Sequence, residues 1–204
     1  MNKTQIRKRA MAFLLIFIGI LVVGFTAVQI FAWKSQQSIE SYPYTVEKSF
    51  GDFEIRAYEA SLFTSVKLGS NEYKKASSQG FSILAGYIFG ANEKQEKIAM
   101  TSPVAMSLED SMTMMFMVPK KFNKSNLPKP NQSDIEFKEM PAKRVAAITF
   151  GGWSDDEKIA LHKEQLTKAL DEAGIGYSTR FYYLGYNPPY EVFGRKNEVI
   201  VELD

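Results

Sequence analysis

Residues 97–106 of this chain read KIAMTSPVAM. A cation leads two apolar residues, a Thr-Ser-Pro break follows, and the apolar run resumes at Val104. Pro103 has no N–H for a β ladder, so it belongs at the first position or the edge of a strand. Ile98 and Met100 can then face a core, with Lys97 and Thr101 as flanks. The segment carries no phosphate loop, no metal-ligand spacing and no nucleophile elbow. It reads as a crossover in which the chain leaves a helix for a sheet, with Pro103 setting where the strand begins.

The neighbouring segments agree with that reading. Asn71 to Phe89 has helical period, with Tyr73, Ala76, Gly80, Ile83, Leu84 and Tyr87 recurring at three- and four-residue steps. Asn71 is the expected N-cap and Gly90 the expected residue just past the C-terminal cap. Gly80 inside the apolar stripe implies close approach by a neighbour. Beyond the crossover, Val104–Leu108 and Met112–Val118 read as strands. Upstream, TVEKSF and FEIRAYE flank Gly51-Asp52, a two-residue turn signal, and LFTSVKL is a third strand candidate.

Lys120 to Ser133 is rich in Pro, Lys, Asn and Ser and marks a midpoint. The pattern then returns. IEFKEMPAKRVAAITFGG offers two strands joined at Met140-Pro141. Asp155 to Ala173 is a helix capped at Ser154 or Asp155 and ended by Gly174. FYYLGYNPPYEVF and NEVIVEL form a closing hairpin. Each half, residues 43–119 and 134–204, runs strand–strand–helix–strand–strand. The expected class is α+β: a pseudo-twofold antiparallel sheet, curved or closed into a distorted β-barrel, with two flanking helices.

Ala10 to Trp33 contains no charged residue. As a helix it extends roughly 35 Å, enough for a hydrocarbon core of about 30 Å. Lys3, Arg7, Lys8 and Arg9 precede it; Trp33 and Lys34 place an aromatic and a cation at the far interface. The cation excess puts the N-terminus in the cytoplasm. The expected organisation is a cytoplasmic basic segment (1–9), a single transmembrane helix (10–33), a polar tether (34–42) and an extracytoplasmic domain (43–204), periplasmic or extracellular in a bacterium. A cleaved signal peptide predicts the same orientation. Its apolar region usually spans about 7–15 residues, however, and Ile30-Phe31-Ala32 makes a poor cleavage site.

Composition removes whole classes of function. The chain has 204 residues, a net charge of +2, no cysteine and one histidine, His162. Thiol nucleophiles, disulfides, iron–sulfur clusters and thiolate zinc sites are excluded, as is a multi-histidine metal site within one chain. The near-neutral charge argues against nucleic acid as a partner. The carboxylates show no pairing that defines acid–base machinery.

Element order alone names no function, but particular residues do. Phe81, Leu84, Tyr87-Ile88, Gly90 and Asn92, followed by Lys97-Ile98-Ala99-Met100-Thr101-Ser102-Pro103-Val104, resemble the signature of the SOUL haem-binding protein family, in which a helix ending YI-G-N runs into KI-MT-PV. FEIRAYE, MMFMVP, VAAITFGGW and RKNEVIVEL match in the same order, so the resemblance covers about Pro43 to Leu203. It implies a distorted barrel of two repeats that binds haem or a related tetrapyrrole. The architecture is similar to gyrase-inhibitor-like effector domains. The membrane segment departs from the soluble members of the family.

Under that resemblance the opening stretch acquires a second reading, as the rim of a ligand cleft with Lys97 near a propionate. His162 sits at the edge of the apolar stripe marked by Ile159, Leu166, Leu170 and Ala173. It is a candidate axial metal ligand, or simply a boundary imidazole bonded to a neighbour. Arg180, Tyr182 and Arg195, with Phe181, Tyr183, Tyr186 and Tyr190, can clamp a planar anion or serve as ordinary strand packing. Met100, Met106, Met112, Met114, Met115 and Met117 can be gap-fillers or Cu(I) thioether ligands. Met112 and Met114 should share one strand face and Met115 and Met117 the other, which opposes convergence on copper. The expectation is a non-catalytic, membrane-anchored haem- or porphyrin-binding protein for carriage, buffering or sensing. Its rivals are a tetrapyrrole-modifying or hydrolytic enzyme on the same scaffold, and a ligand-free envelope interaction module.

Overall fold

A computed structural model of the chain describes residues 3–37, 39–109 and 111–204, with 3–4, 6–10 and 32–37 described by their backbone alone. The described residues form two compact units. One holds the first helix with Pro188–Phe193; the other holds Ile39–Asn187 with Gly194–Asp204.

The first helix, α1, is Lys3–Gln37. Within it Met11–Phe31 is long and apolar enough to cross a membrane. The side chains of the flanking cations and of Trp33 and Lys34 lie outside the described residues. The backbone of residues 34–37, read from sequence as the start of a polar tether, continues the helix.

The larger unit contains, among the described residues, nine strands and two helices: β1 (Tyr44–Ser49), β2 (Phe53–Tyr58), β3 (Ser61–Lys67), α2 (Tyr73–Ile88), β4 (Val104–Ser107), β5 (Thr113–Met117), β6 (Ile135–Met140), β7 (Lys143–Gly151), α3 (Asp156–Ala173), β8 (Tyr177–Gly185) and β9 (Lys196–Leu203). This is the expected α+β repeat. The strands form one curled antiparallel sheet in the order β1-β2-β7-β9-β8-β4-β5-β3-β6. With the edge strand β1 set aside, the order is symmetric about the β8–β4 pair when β2, β3, β4 and β5 are exchanged with β6, β7, β8 and β9. The halves do not form separate sheets. Each lends its first strand to the other: β2 pairs with β7, and β6 pairs with β3.

Strand alternation sends successive side chains to opposite faces and makes two cores. Ile55, Val66, Met106, Met114, Phe116, Val199 and Val201 pack with α2 and α3 on the helix-bearing face. Tyr58, Phe63, Met115, Met117, Val145, Ala147 and Ile200 fill the inner face. The methionines therefore divide as the alternation requires, with Met112 and Met114 on one face and Met115 and Met117 on the other.

The opening stretch is a pinned crossover. Ile98 is 4% exposed and its N–H bonds Ile88 O at 2.8 Å. Met100 packs half-buried on the same core. Thr101, expected as a flank, is buried because its hydroxyl donates to Met117 O at 2.7 Å. Ser102 N–H donates to Glu40 O at 3.0 Å and Tyr42 N–H to Ser102 O at 2.9 Å, tying the start of the domain to the strand that begins at Val104. Ahead of it Asn92 organises the loop. Its amide donates to Tyr87 O and Glu96 O, and its carbonyl accepts from the N–H groups of Lys94 and Glu96.

Both helices are capped, one of them unexpectedly. Asp155 accepts from Lys158 N–H at 2.8 Å, and Gly174 closes α3 at φ 66°. In α2 the cap residue is Glu72, which makes no side-chain cap bond. The N-terminal N–H of Tyr73 is instead accepted by Asp156 Oδ1 at 2.6 Å, so a carboxylate of α3 also serves the positive end of α2.

Two outcomes test this packing. A Cβ on Gly80 would lie 2.9 Å from Leu68 Cδ1 and 3.0 Å from Met114 Cβ. Gly80→Ala should therefore destabilise the fold in urea by about 1–3 kcal/mol despite alanine's better helix propensity. Ile98→Asp buries an unpartnered charge and should abolish soluble folded domain, whereas Lys97→Ala, at an exposed position, should leave the melting temperature unchanged.

Candidate functional site

The inner face differs from an ordinary core because two buried glutamates stand on it. β9 lies between β7 and β8, so both its edges are paired, and residues 197–202 are buried on both faces. Alternation sends Val199 and Val201 to the helices and Glu198, Ile200 and Glu202 inward. Glu198 is fully buried, and four donors hold its carboxylate. Arg56 NH1 reaches Oε2 at 3.0 Å, Tyr186 OH reaches Oε2 at 2.6 Å, Thr149 Oγ1 reaches Oε1 at 3.0 Å and Lys196 Nζ reaches Oε1 at 2.9 Å. Arg56 is itself fixed by Glu54 at 2.8 Å and stacked over the Tyr44 ring at 4.4 Å.

Glu202 stands two strand repeats further along the same face, beyond Ile200. Lys143 Nζ lies 2.8 Å and Tyr182 OH 3.0 Å from its Oε1, and Arg180 Nε lies 2.7 Å from Oε2. Burial pushes both carboxyls up, but their cations and tyrosine hydroxyls outweigh it and hold each below the ordinary value of 4.5. Burial lowers Lys143, with Glu202 opposing. Tyr42 and Tyr58 complete the wall with rings 4.4 Å apart. The Tyr42 hydroxyl is buried without a hydrogen-bond partner among the described residues, while that of Tyr58 lies beside the Arg56 guanidinium. Burial, then the Glu202 charge, push Tyr42 up to about 12.

An open cleft of about 520 Å³ lies at the Glu202 end, lined among others by Lys138, Met140, Lys143, Arg180, Tyr182 and Glu202. The volume is in the range of small-ligand sites, about 300–1,000 Å³. Its lining offers an aromatic ring and a thioether, Tyr182 and Met140, and interleaves the cations Lys138, Lys143, Arg144 and Arg180 with the acids Glu109, Glu139, Glu202 and Asp204. The structure thus brings together two residues singled out from sequence, Arg180 and Tyr182. The other three lie elsewhere. Lys97 is exposed in the α2–β4 connection. Arg195 stacks on Trp153 at 4.0 Å and donates to Asn187 O. His162 is on the helix-bearing side, stacked 3.9 Å from Phe150, with Nδ1 2.7 Å from Lys158 O. A carbonyl oxygen only accepts, so Nδ1 is the donor in that contact.

The sequence reading missed Arg56, Glu198 and Glu202. The signal for the two glutamates is their spacing in NEVIVEL, where they share one face and bracket the apolar run Val199-Ile200-Val201. Nothing local marks Arg56.

Both carboxyls titrate lower in the folded chain than in the unfolded one, so the folded state binds fewer protons in acid. Their stabilisation is complete above about pH 4.5 and is lost as pH falls through the lowered folded values. Arg56→Met should cost about 3 kcal/mol or more by stripping a buried carboxylate of its main cation. Adding Glu198→Gln should recover most of that loss and flatten the acid limb of the stability–pH curve, both readable by chemical denaturation between about pH 3 and 7.

The sequence is 30% identical over 182 residues to human heme-binding protein 2, covering 85% of each chain, and 30% identical over 175 residues to bovine heme-binding protein 1, covering 79% of this chain and 91% of the other. In fold it matches the crystal structure of the EcmrR C-terminal domain with a TM-score of 0.58 at 11% identity, covering 79% of this chain and 98% of that one. The sequence model of the SOUL heme-binding protein matches residues 39–202, nearly all of the larger unit, and with it the chain belongs to the SOUL heme-binding family, which makes haem its candidate ligand.

Proposed function

We propose that this protein is a membrane-anchored haem- or tetrapyrrole-binding protein that carries, buffers or senses its ligand without transforming it. Residues 1–9 lie in the cytoplasm, 10–33 cross the membrane, 34–42 join them to the domain, and 43–204 bind the ligand on the far side. The family match over residues 39–202 is the observation that carries the ligand class. The charge-free, membrane-length run Met11–Phe31 supports the anchor.

The cleft fits such a ligand through its periphery more than through a metal. Haem would supply a planar apolar surface, two carboxylates and an iron. Lys138, Lys143 and Arg180 would pair with the carboxylates, while Tyr182 and Met140 would meet the macrocycle. Lys143 and Arg180 already serve Glu202, so an entering carboxylate competes with that residue. His162 lies across the sheet from this cleft. A binding role is further supported by the state of the carboxylates. Glu198 and Glu202 are held ionised and fully bonded, which suits neither a general acid nor an available base.

Haemin titration of the full chain in detergent tests the reading. His162→Ala should keep affinity within about tenfold, or about 1.4 kcal/mol. Arg180→Ala should weaken binding severalfold and flatten its salt dependence, because an exposed cation acts through screened attraction. Loss of binding in the folded His162→Ala protein, with Arg180→Ala unaffected, would move the site to the helix-bearing side. N-terminal sequencing of the mature chain should find residues 10–33 retained; a chain beginning near Lys34 would overturn the anchor.

A further inference from the structure

The segment joining β8 to β9 reverses the usual rule for a surface loop. In Pro188–Phe193 the charged residue is turned inward, Glu191 being 6% exposed, while Tyr190, Val192 and Phe193 stand out at 52%, 43% and 66%. Water-facing loops expose charge and hide large apolar groups. This one does the opposite, and it forms one compact unit with α1.

Its attachment to α1 is specific. The Gln29 side chain donates from Nε2 to Tyr190 O and accepts at Oε1 from Val192 N–H, both at 3.2 Å. Phe193 packs edge-on against Phe25 with ring centroids 6.1 Å apart. Gln29 and Phe25 both lie inside the apolar run Met11–Phe31. An amide in that setting is costly unless both its donor and its acceptor are used, and here the loop backbone uses both. The loop is equally sparing of exposed backbone donors. Pro188 and Pro189 have no N–H, Glu191 N–H bonds Pro188 O at 3.2 Å, and Val192 N–H bonds Gln29. Non-helical backbone tolerates hydrocarbon only when its polar groups are satisfied in this way.

We infer that Pro188–Phe193 is a second membrane contact: a loop clamped to the transmembrane helix by Gln29, with Tyr190, Val192 and Phe193 inserted in the lipid interface. The inference rests on the reading of α1 as a membrane span. Six residues separate Phe25 from the end of the apolar run, about 9 Å along a helix. Side chains bound to Phe25 and Gln29 therefore share the depth that interfacial apolar groups occupy, about 5–10 Å into the headgroup–acyl boundary. Tyrosine and phenylalanine suit that boundary.

The chain has no cysteine, so a nitroxide on one introduced cysteine reports one position. The full chain is reconstituted in phosphatidylcholine vesicles with labels at Phe193→Cys, at Val23→Cys in the span and at Leu161→Cys on the exposed side of α3. Collision with oxygen, which partitions into lipid, is compared with collision with a water-soluble nickel chelate. Position 193 should resemble position 23, with an oxygen-to-nickel ratio severalfold above that at 161. A lipid-facing 23 with a nickel-accessible 193 would overturn the loop contact and leave the anchor standing. A nickel-accessible 23 would overturn the anchor and the loop together. Protection of 193 from both reagents would mean that protein, not lipid, covers the loop, and would also overturn the inference. Gln29→Leu should lower the ratio at 193 severalfold and leave 23 unchanged; an unchanged 193 would overturn the clamp.

Discussion

The inner face of the sheet is organised around keeping one buried carboxylate charged. Glu198 is fully removed from water, and an unpaired carboxylate there would cost several kcal/mol. Its four donors come from four places: Arg56 on β2, Thr149 on β7, Lys196 on β9 itself and Tyr186 just after β8. Those residues satisfy it together only when the second half has closed its hairpin and has also received β2 from the first half. The ion pair adds little net stability over an apolar core of the same shape. Its physical consequence is specificity: a strand order that parts β2 or β7 from β9 removes the Arg56 or Thr149 donor from the buried charge.

The same constraint divides the two faces by task. On the helix-bearing side, Leu84, Leu166, Val199 and Val201 pack around a small polar cluster of Tyr73, Tyr183 and Asn197, and Asp156 of α3 links the two helices by accepting from the first N–H groups of α2. On the inner side, tyrosines, cations and the second carboxylate, Glu202, continue outward from Glu198 to an open cleft. Polar groups that are fully paired at the centre and only half covered at the rim suit reversible capture of a ligand with an aromatic body and charged edges. The Tyr42 hydroxyl, buried in the inner-face core behind the cleft residues, holds hydrogen-bonding capacity in reserve.

The smaller unit obeys a different solvent rule. Along α1 the apolar side chains from Met11 to Phe31 face outward, and the loop beside them does likewise while tucking Glu191 inside. Gln29 fits both observations. It would be a defect in an apolar run if unpaired, and here it is spent on two backbone groups of the loop.

By itself the sequence determined what local periodicity and composition can encode. The two helices, the strand runs and the Gly51 and Gly174 turns are legible because each depends on residues only a few positions apart. The opposed methionine faces, the membrane-length run and the family signature around Lys97–Val104 are legible for the same reason. Composition alone removed thiol and multi-histidine chemistry, since no fold can supply absent ligands. Tertiary structure decided everything that needed a distant partner. The exchange of β2 and β6 between halves leaves no local trace, because a strand's hydrophobic pattern states which face is buried and not which neighbour it pairs with. The α2 cap moved from Asn71 to Asp156 because a carboxylate distant in sequence was nearer in space. Arg56, Glu198 and Glu202 looked like ordinary surface charges until the curled sheet enclosed them. Charge pairing acts through distances that only folding brings within reach, and for that reason Arg180 and Tyr182 could be singled out from the chain while their pairing with Glu202 could be read only from the structure.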